Sequence, residues 1–99
     1  MFEKFIHLKL FAVGNVVDVG YRSHCCQVAK KLGVTGYANN LEDARVEVVA
    51  ECEPPVATEF LRQIRYEGHV TSLDIVEVEL VKERKYKTFT GGGVYLGVF

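Results

Sequence analysis

The chain opens on an alternating run. Between Lys4 and Val13, the residues Ile6, Leu8, Leu10 and Ala12 take every second position, with Phe5, His7, Lys9 and Phe11 between them. A period of two predicts a strand with one apolar face and one mixed face. The period then changes. Over Tyr21–Leu32, Cys25, Val28, Ala29 and Leu32 recur at i, i+3, i+4 and i+7, the buried stripe of a helix. Lys30 and Lys31 suit its C-terminal dipole, and Gly33 supplies a left-handed cap. A second strand is predicted over Thr35–Asn39, ending in the turn NNLEDAR. A third runs over Arg45–Glu53, with Val46, Val48, Ala50 and Cys52 on one face and Arg45, Glu47, Val49 and Glu51 on the other. Pro54 and Pro55 break it, and proline is well placed in the first turn of a helix. That second helix spans Pro55–Tyr66 and gathers Val56, Phe60, Leu61 and Ile64 on one side. EGHVTS reads as a connection and Leu73–Val81 as a fourth strand. The basic run KERKYK (82–87) reads as a solvated strand end, TGGG (90–93) as a break, and VYLGVF as a segment able to form a short fifth edge strand.

The order β-α-β-β-α-β suits a single α+β domain over residues 1–99: a ferredoxin-like sandwich with two helices on one face of an antiparallel sheet. The right-handed crossover rule puts both helices on the same side. It also sets the first loop, GNVVDVGYR, against the N-terminus of the first helix.

Composition narrows the class. With 99 residues and 48% apolar content, the chain can bury one core without metal or disulfide support. A formal net charge of −1 argues against a nucleic-acid partner, which calls for a basic surplus. Three cysteines and no signal peptide predict reduced thiols in the cytoplasm. Cys25 and Cys26 are adjacent and lack metal-ligand spacing, so buried structural thiols are expected. No run is long enough to predict a membrane span.

The candidate chemistry lies in residues 14–22. A helix N-terminus exposes unpaired N–H groups and a partial positive charge, and a loop that bends its amides inward makes an anion nest. Gly14 and Gly20 permit the bend. Arg22 adds a planar, permanently charged fork suited to phosphate oxygens. Spacing alone also fits an ordinary strand-to-helix connection with a surface arginine.

At these residues the chain resembles the acylphosphatase family, whose loop reads G-x-V-Q-G-V-x-F-R. Here Gly14, Val16, Val19 and Arg22 match, with Tyr21 for phenylalanine. The family continues L-G-L-x-G-W-V-x-N-x-x-D-G-x-V-E. Leu32, Gly33, Gly36, Asn40, Asp43, Val46 and Glu47 match, with Tyr37 for tryptophan. The resemblance covers roughly residues 4–81 and fades over the last eighteen. It implies a ferredoxin-like fold and hydrolysis of small acyl phosphates without metal or other cofactor. It also implies roles: Arg22 would bind the phosphoryl group with the backbone amides of Val16, Val17, Asp18, Val19, Gly20 and Tyr21, and Asn40 would orient the attacking water. Inorganic phosphate, as product, would compete. Neither a nucleic acid nor a membrane is an expected partner, and the oligomeric state is left open.

Two departures fall inside the loop. Val17 stands where the family has glutamine, and Asp18 where it has glycine. A carboxylate at ~6 Å from a phosphate charge, at an effective dielectric of ~20, costs about 3 kcal/mol, or about a hundredfold in binding. These departures motivate the alternative of a non-catalytic binding or regulatory module with a degenerate loop. Asp43-Ala44 replaces the family's Asp-Gly turn. His7, His24 and His69 are expected to be structural or exposed. An RNA-binding module of similar layout would show aromatics on the third strand, and ARVEVVAEC has none.

Overall fold

A computed structural model describes residues 4–17 and 20–91 of the chain. Its elements are β1 (Phe5–Gly14), α1 (Tyr21–Leu32), β2 (Thr35–Asn40), β3 (Val46–Cys52), α2 (Pro54–Gln63), β4 (Val70–Val81) and β5 (Phe89–Thr90). They form one five-stranded sheet in the order β4-β1-β3-β2-β5 with both helices packed on one face, the ferredoxin-like arrangement. The first four strands pair antiparallel, as expected. The fifth does not: β5 pairs parallel to β2 through Gly36↔Phe89 and Tyr37↔Thr90, so the sheet is mixed.

Alternation explains the layering. Leu8, Leu10 and Ala12 of β1 and Val46, Val48, Ala50 and Cys52 of β3 are buried together, because cross-strand partners share a face. Cys25, Val28 and Ala29 of α1 and Ala57 and Phe60 of α2 close over them. Burial pushes the Cys25 thiol up to about 12, so it packs as a neutral apolar group. None of the three cysteines is in a disulfide. Among the described residues no helix is long and apolar enough to cross a membrane.

Three expectations need correction. The second helix ends at Gln63, not Tyr66; Tyr66 takes a left-handed φ of 46° that a helix cannot continue through. The fourth strand starts at Val70, inside the stretch read as a connection, because Val70 and Ser72 pair with Gly14 and Val13. The fifth strand is Phe89–Thr90, so Thr90 belongs to pairing rather than to a break. VYLGVF lies outside the described residues.

The basic run is also more than a solvated end. Arg84 donates to the carbonyls of Gly33 and Glu51 and to Thr35 Oγ1. The backbone N–H groups of Lys85 and Tyr86 donate to Glu51 Oε1 at 2.6 and 3.1 Å, and His7 Nδ1–H donates to Glu51 Oε2 at 2.7 Å. Glu51 alternates onto the face away from the helices, yet it is only 1% exposed, because the returning chain covers it. Burial raises its pKa, but the bonds from His7, Tyr86 and Lys85 outweigh that and leave the carboxyl below its ordinary value.

A group whose pKa is lowered by folding contributes stability above its unfolded value, and loses it as pH falls through the folded one. Glu51→Gln should therefore lower stability by about 2 kcal/mol at neutral pH, since the amide has one acceptor oxygen for three donors. The gap between the two proteins should begin to narrow below pH ~4.5, where the unfolded carboxyl takes up its proton, and go on narrowing until the native carboxylate, held lower, has done the same. Urea midpoints from pH 7 to pH 2 would read this; a gap independent of pH contradicts it.

Candidate functional site

The site is set by strand register. Val46, the first residue of β3, pairs with Ala12 of β1 on one side and with Asn40 of β2 on the other. Ala12 and Asn40 therefore lie in one row at one end of the sheet, about 10 Å apart, two strand spacings, and β1 runs two residues further to Gly14. Partners in one row share a face, and Ala12 and Val46 are buried beneath the helices. Asn40 thus belongs to the helix-covered face at its open end, where it is exposed. The loop from β1 to α1 starts at this same end and face.

The start of the loop is shaped by β4. A Cβ on Gly14 would meet the His69 carbonyl at 2.4 Å and the Thr71 nitrogen at 2.7 Å, and the residue has φ +135°. Asn15 N–H donates to that same His69 carbonyl at 2.8 Å. Val16 then inserts into the core at 2% exposure, and Tyr21 is buried at 1%. Any contribution of these two residues to a ligand is therefore through the backbone. Val17 is half-buried, and Asp18 and Val19 lie outside the described residues.

Gly20 is the N-cap of α1, at φ 76° and ψ 18°. A left-handed residue followed by helical ones turns successive N–H groups toward one side, the geometry of a nest. Gly20 itself brings no side-chain cap, and no acid lies in the first turn of the helix. A helix N-terminus carries a partial positive charge that suits an anion. Arg22, the second helical residue, is half-buried.

The hairpin after Asn40 also bears on the site. Leu41 N–H donates to the Arg45 carbonyl. Ala44 adopts φ 71°, the conformation the family fills with glycine. A non-glycine residue there costs roughly 1 kcal/mol, and Asp43 offsets it by accepting from Arg45 N–H and Nε–H. The hairpin closes despite the substitution.

None of the three histidines is a candidate nucleophile's base. His7 serves Glu51. His24 Nε2–H donates to the Gln63 carbonyl at 2.8 Å, and its ring stacks on Tyr66 at 4.3 Å. His69 stacks on the same tyrosine at 4.7 Å. An open groove of about 590 Å³ lies outside the loop, lined by His24, Lys31, Arg62, Gln63, Arg65, Tyr66 and Glu67. Among the described residues no group of three His, Cys, Asp or Glu side chains is arranged to hold a metal.

The fold and the loop define a class: a ferredoxin-like sandwich whose β1–α1 loop ends on a glycine at a helix N-terminus, beside an arginine. Residues 8–91 match the acylphosphatase family model, ten residues further toward the C-terminus than the sequence motifs reach. An acylphosphatase of Thermus thermophilus is 40% identical over 76 residues, 77% of this chain and 86% of the relative. One of Archaeoglobus fulgidus is 33% identical over 84 residues, 85% and 94%. The crystal structure of acylphosphatase from Bacillus subtilis superposes with a TM-score of 0.65 at 21% identity, covering 85% of this chain and 94% of that one; it bears on the fold alone. The chain belongs to the acylphosphatase family.

Gly14 and Gly20 separate two reasons for glycine. Gly14→Ala should cost about 3 kcal/mol or more, because backbone atoms of β4 must move. Gly20→Ala has open space around it and should cost only about 1 kcal/mol, from its dihedrals. Chemical denaturation of both variants measures the difference, and equal losses would contradict the close-approach argument.

Proposed function

We propose that the chain hydrolyses small acyl phosphates to a carboxylate and inorganic phosphate at the β1–α1 loop. Arg22 and the backbone amides of residues 16–21 hold the phosphoryl group, and Asn40 orients the attacking water. The observation that carries this reading is the row at Val46, which puts the exit of β1 and Asn40 at one end and on one face of the sheet.

The chemistry asks for little beyond that. A carboxylate leaves readily, so the reaction needs positioning and charge stabilisation rather than a strong general acid. Charge spreads over the equatorial oxygens as the P–O bond to the acyl group breaks. A guanidinium and inward-turned amides meet that charge without reorganising. Asn40 offers both a donor and an acceptor to a water and does not titrate. Three cysteines outside any disulfide suit a reducing cytoplasm.

A second reading follows from the loop's own residues. Val17 and Asp18 depart from the family at the anion's position, which favours a weakened or purely binding site.

Arg22→Ala should lower kcat/KM for a small acyl phosphate about a thousandfold, and Asn40→Ala roughly a hundredfold. In the parent, inorganic phosphate should inhibit competitively, and a chelator should leave the rate unchanged. Undiminished turnover in either alanine variant removes the mechanism. The double variant Val17→Gln, Asp18→Gly decides between the readings: a parent without turnover that gains it on this change is a degenerate site. In an active parent, removing the carboxylate should tighten phosphate binding by up to about a hundredfold.

A further inference from the structure

Both ends of the loop are fastened to one segment, the end of α2 and its connection to β4 (residues 63–69). At the entry, Asn15 N–H donates to the His69 carbonyl, and Gly14 lies against the same group. At the exit, the Tyr21 hydroxyl donates to the Ile64 carbonyl at 2.7 Å in the core, and His24 Nε2–H donates to the Gln63 carbonyl. The connection is itself tied down. Ile64 N–H returns to the Phe60 carbonyl, His69 N–H to the Tyr66 carbonyl, and the Tyr66 ring lies against both His24 and His69.

We propose that Tyr21 is a positioning residue for the phosphate site. Its hydroxyl fixes the first turn of α1, and with it Arg22 and the last amides of the loop, to the α2–β4 connection. The resembling motif carries phenylalanine at this position, so the tie is a property of this chain's own tyrosine. Burial pushes the phenol's pKa up, so the hydroxyl remains a donor throughout the working pH range. Ile64 presents a backbone carbonyl, which survives any change of its side chain. A loop held in its receiving shape spends less ordering on each ligand. That gain is shared by substrate and transition state, so its loss appears in KM rather than in kcat.

This inference rests on the loop being the phosphate site, and its test separates the two ideas. Tyr21→Phe keeps the ring and deletes the hydroxyl, with its bond to the Ile64 carbonyl and its contact with the Cys25 thiol. KM for an acyl phosphate and the inhibition constant of inorganic phosphate should both rise roughly three- to tenfold, with kcat within about twofold. Hydrogen exchange at the amides of Asn15 and of residues 22–24 should quicken relative to β3. Glu51→Gln serves as the control, since it lowers global stability far from the loop. Unchanged constants and unchanged exchange in Tyr21→Phe overturn the proposal, and so does an equal rise of KM in Glu51→Gln. A parent that phosphate does not inhibit defeats the functional reading instead. The tie is then judged on exchange alone, and unaltered exchange overturns it.

Discussion

The molecule is organised by the double pairing of β3. This strand is bonded on both edges and buried nearly throughout. Because β1 and β2 are each antiparallel to it, they are parallel to one another and leave the sheet at the same end, with Ala12 and Asn40 in one row. That relation is a consequence of hydrogen-bond register and not of any residue in the loop. Register in a sheet with one buried face is strongly specified, since a slip of one residue turns every apolar side chain outward. Burial of Val46, Val48, Ala50 and Cys52 therefore secures the relation between the loop and Asn40.

The same logic exposes where the fold is thin. On β4, Leu73, Ile75, Val78 and Leu80 pair with Ala12, Leu10, Leu8 and Ile6, all on the helix-covered side. Yet Ile75, Val78 and Leu80 are 45%, 63% and 59% exposed. The ten residues of α2 span about 15 Å and lie over β1, so cover runs out along the edge strand. An apolar edge invites pairing with another chain. Here a register shift between Lys9 and Leu10 leaves Val76 as an extra residue, and Glu77 and Glu79 follow it. A bulge and two like charges along an edge both discourage a neighbouring strand.

Local pattern served well where local pattern decides. The alternation in β1 and β3 and the stripe and caps of α1 predict those elements almost to their ends, because the same residues that carry the signal make the core. It failed where the deciding partner is distant in sequence. Nothing near KERKYK announces that its amides will find Glu51, thirty-four residues back, and nothing near Glu51 says that an outward-facing position will be covered. The start of β4 reads as a polar turn because its pairing is with Val13 and Gly14. The site was legible in part for the same reason. The glycines, the arginine and the helix start are contiguous and could be read together. Asn40, in an Asn-Asn turn, has no local signal at all, and was reached only through resemblance to a family.

The loop's support is the least local feature and the one that links fold to chemistry. Its two ends are six residues apart, Asn15 to Tyr21, and each is bonded to a connection that lies some fifty residues later. A nest gains from being rigid before its ligand arrives, since amides that must be gathered first subtract that cost from binding. Core residues on either side do part of this: Val16 and Tyr21 sink their side chains into the interior. Polar ties add to this, and those from Asn15, Tyr21 and His24 end on backbone carbonyls. Substitution within residues 63–69 can therefore alter the surface of this connection without releasing the loop. The shape of the loop then depends on the path of the backbone through that segment, which the packing of Ile64 and the left-handed turn at Tyr66 maintain.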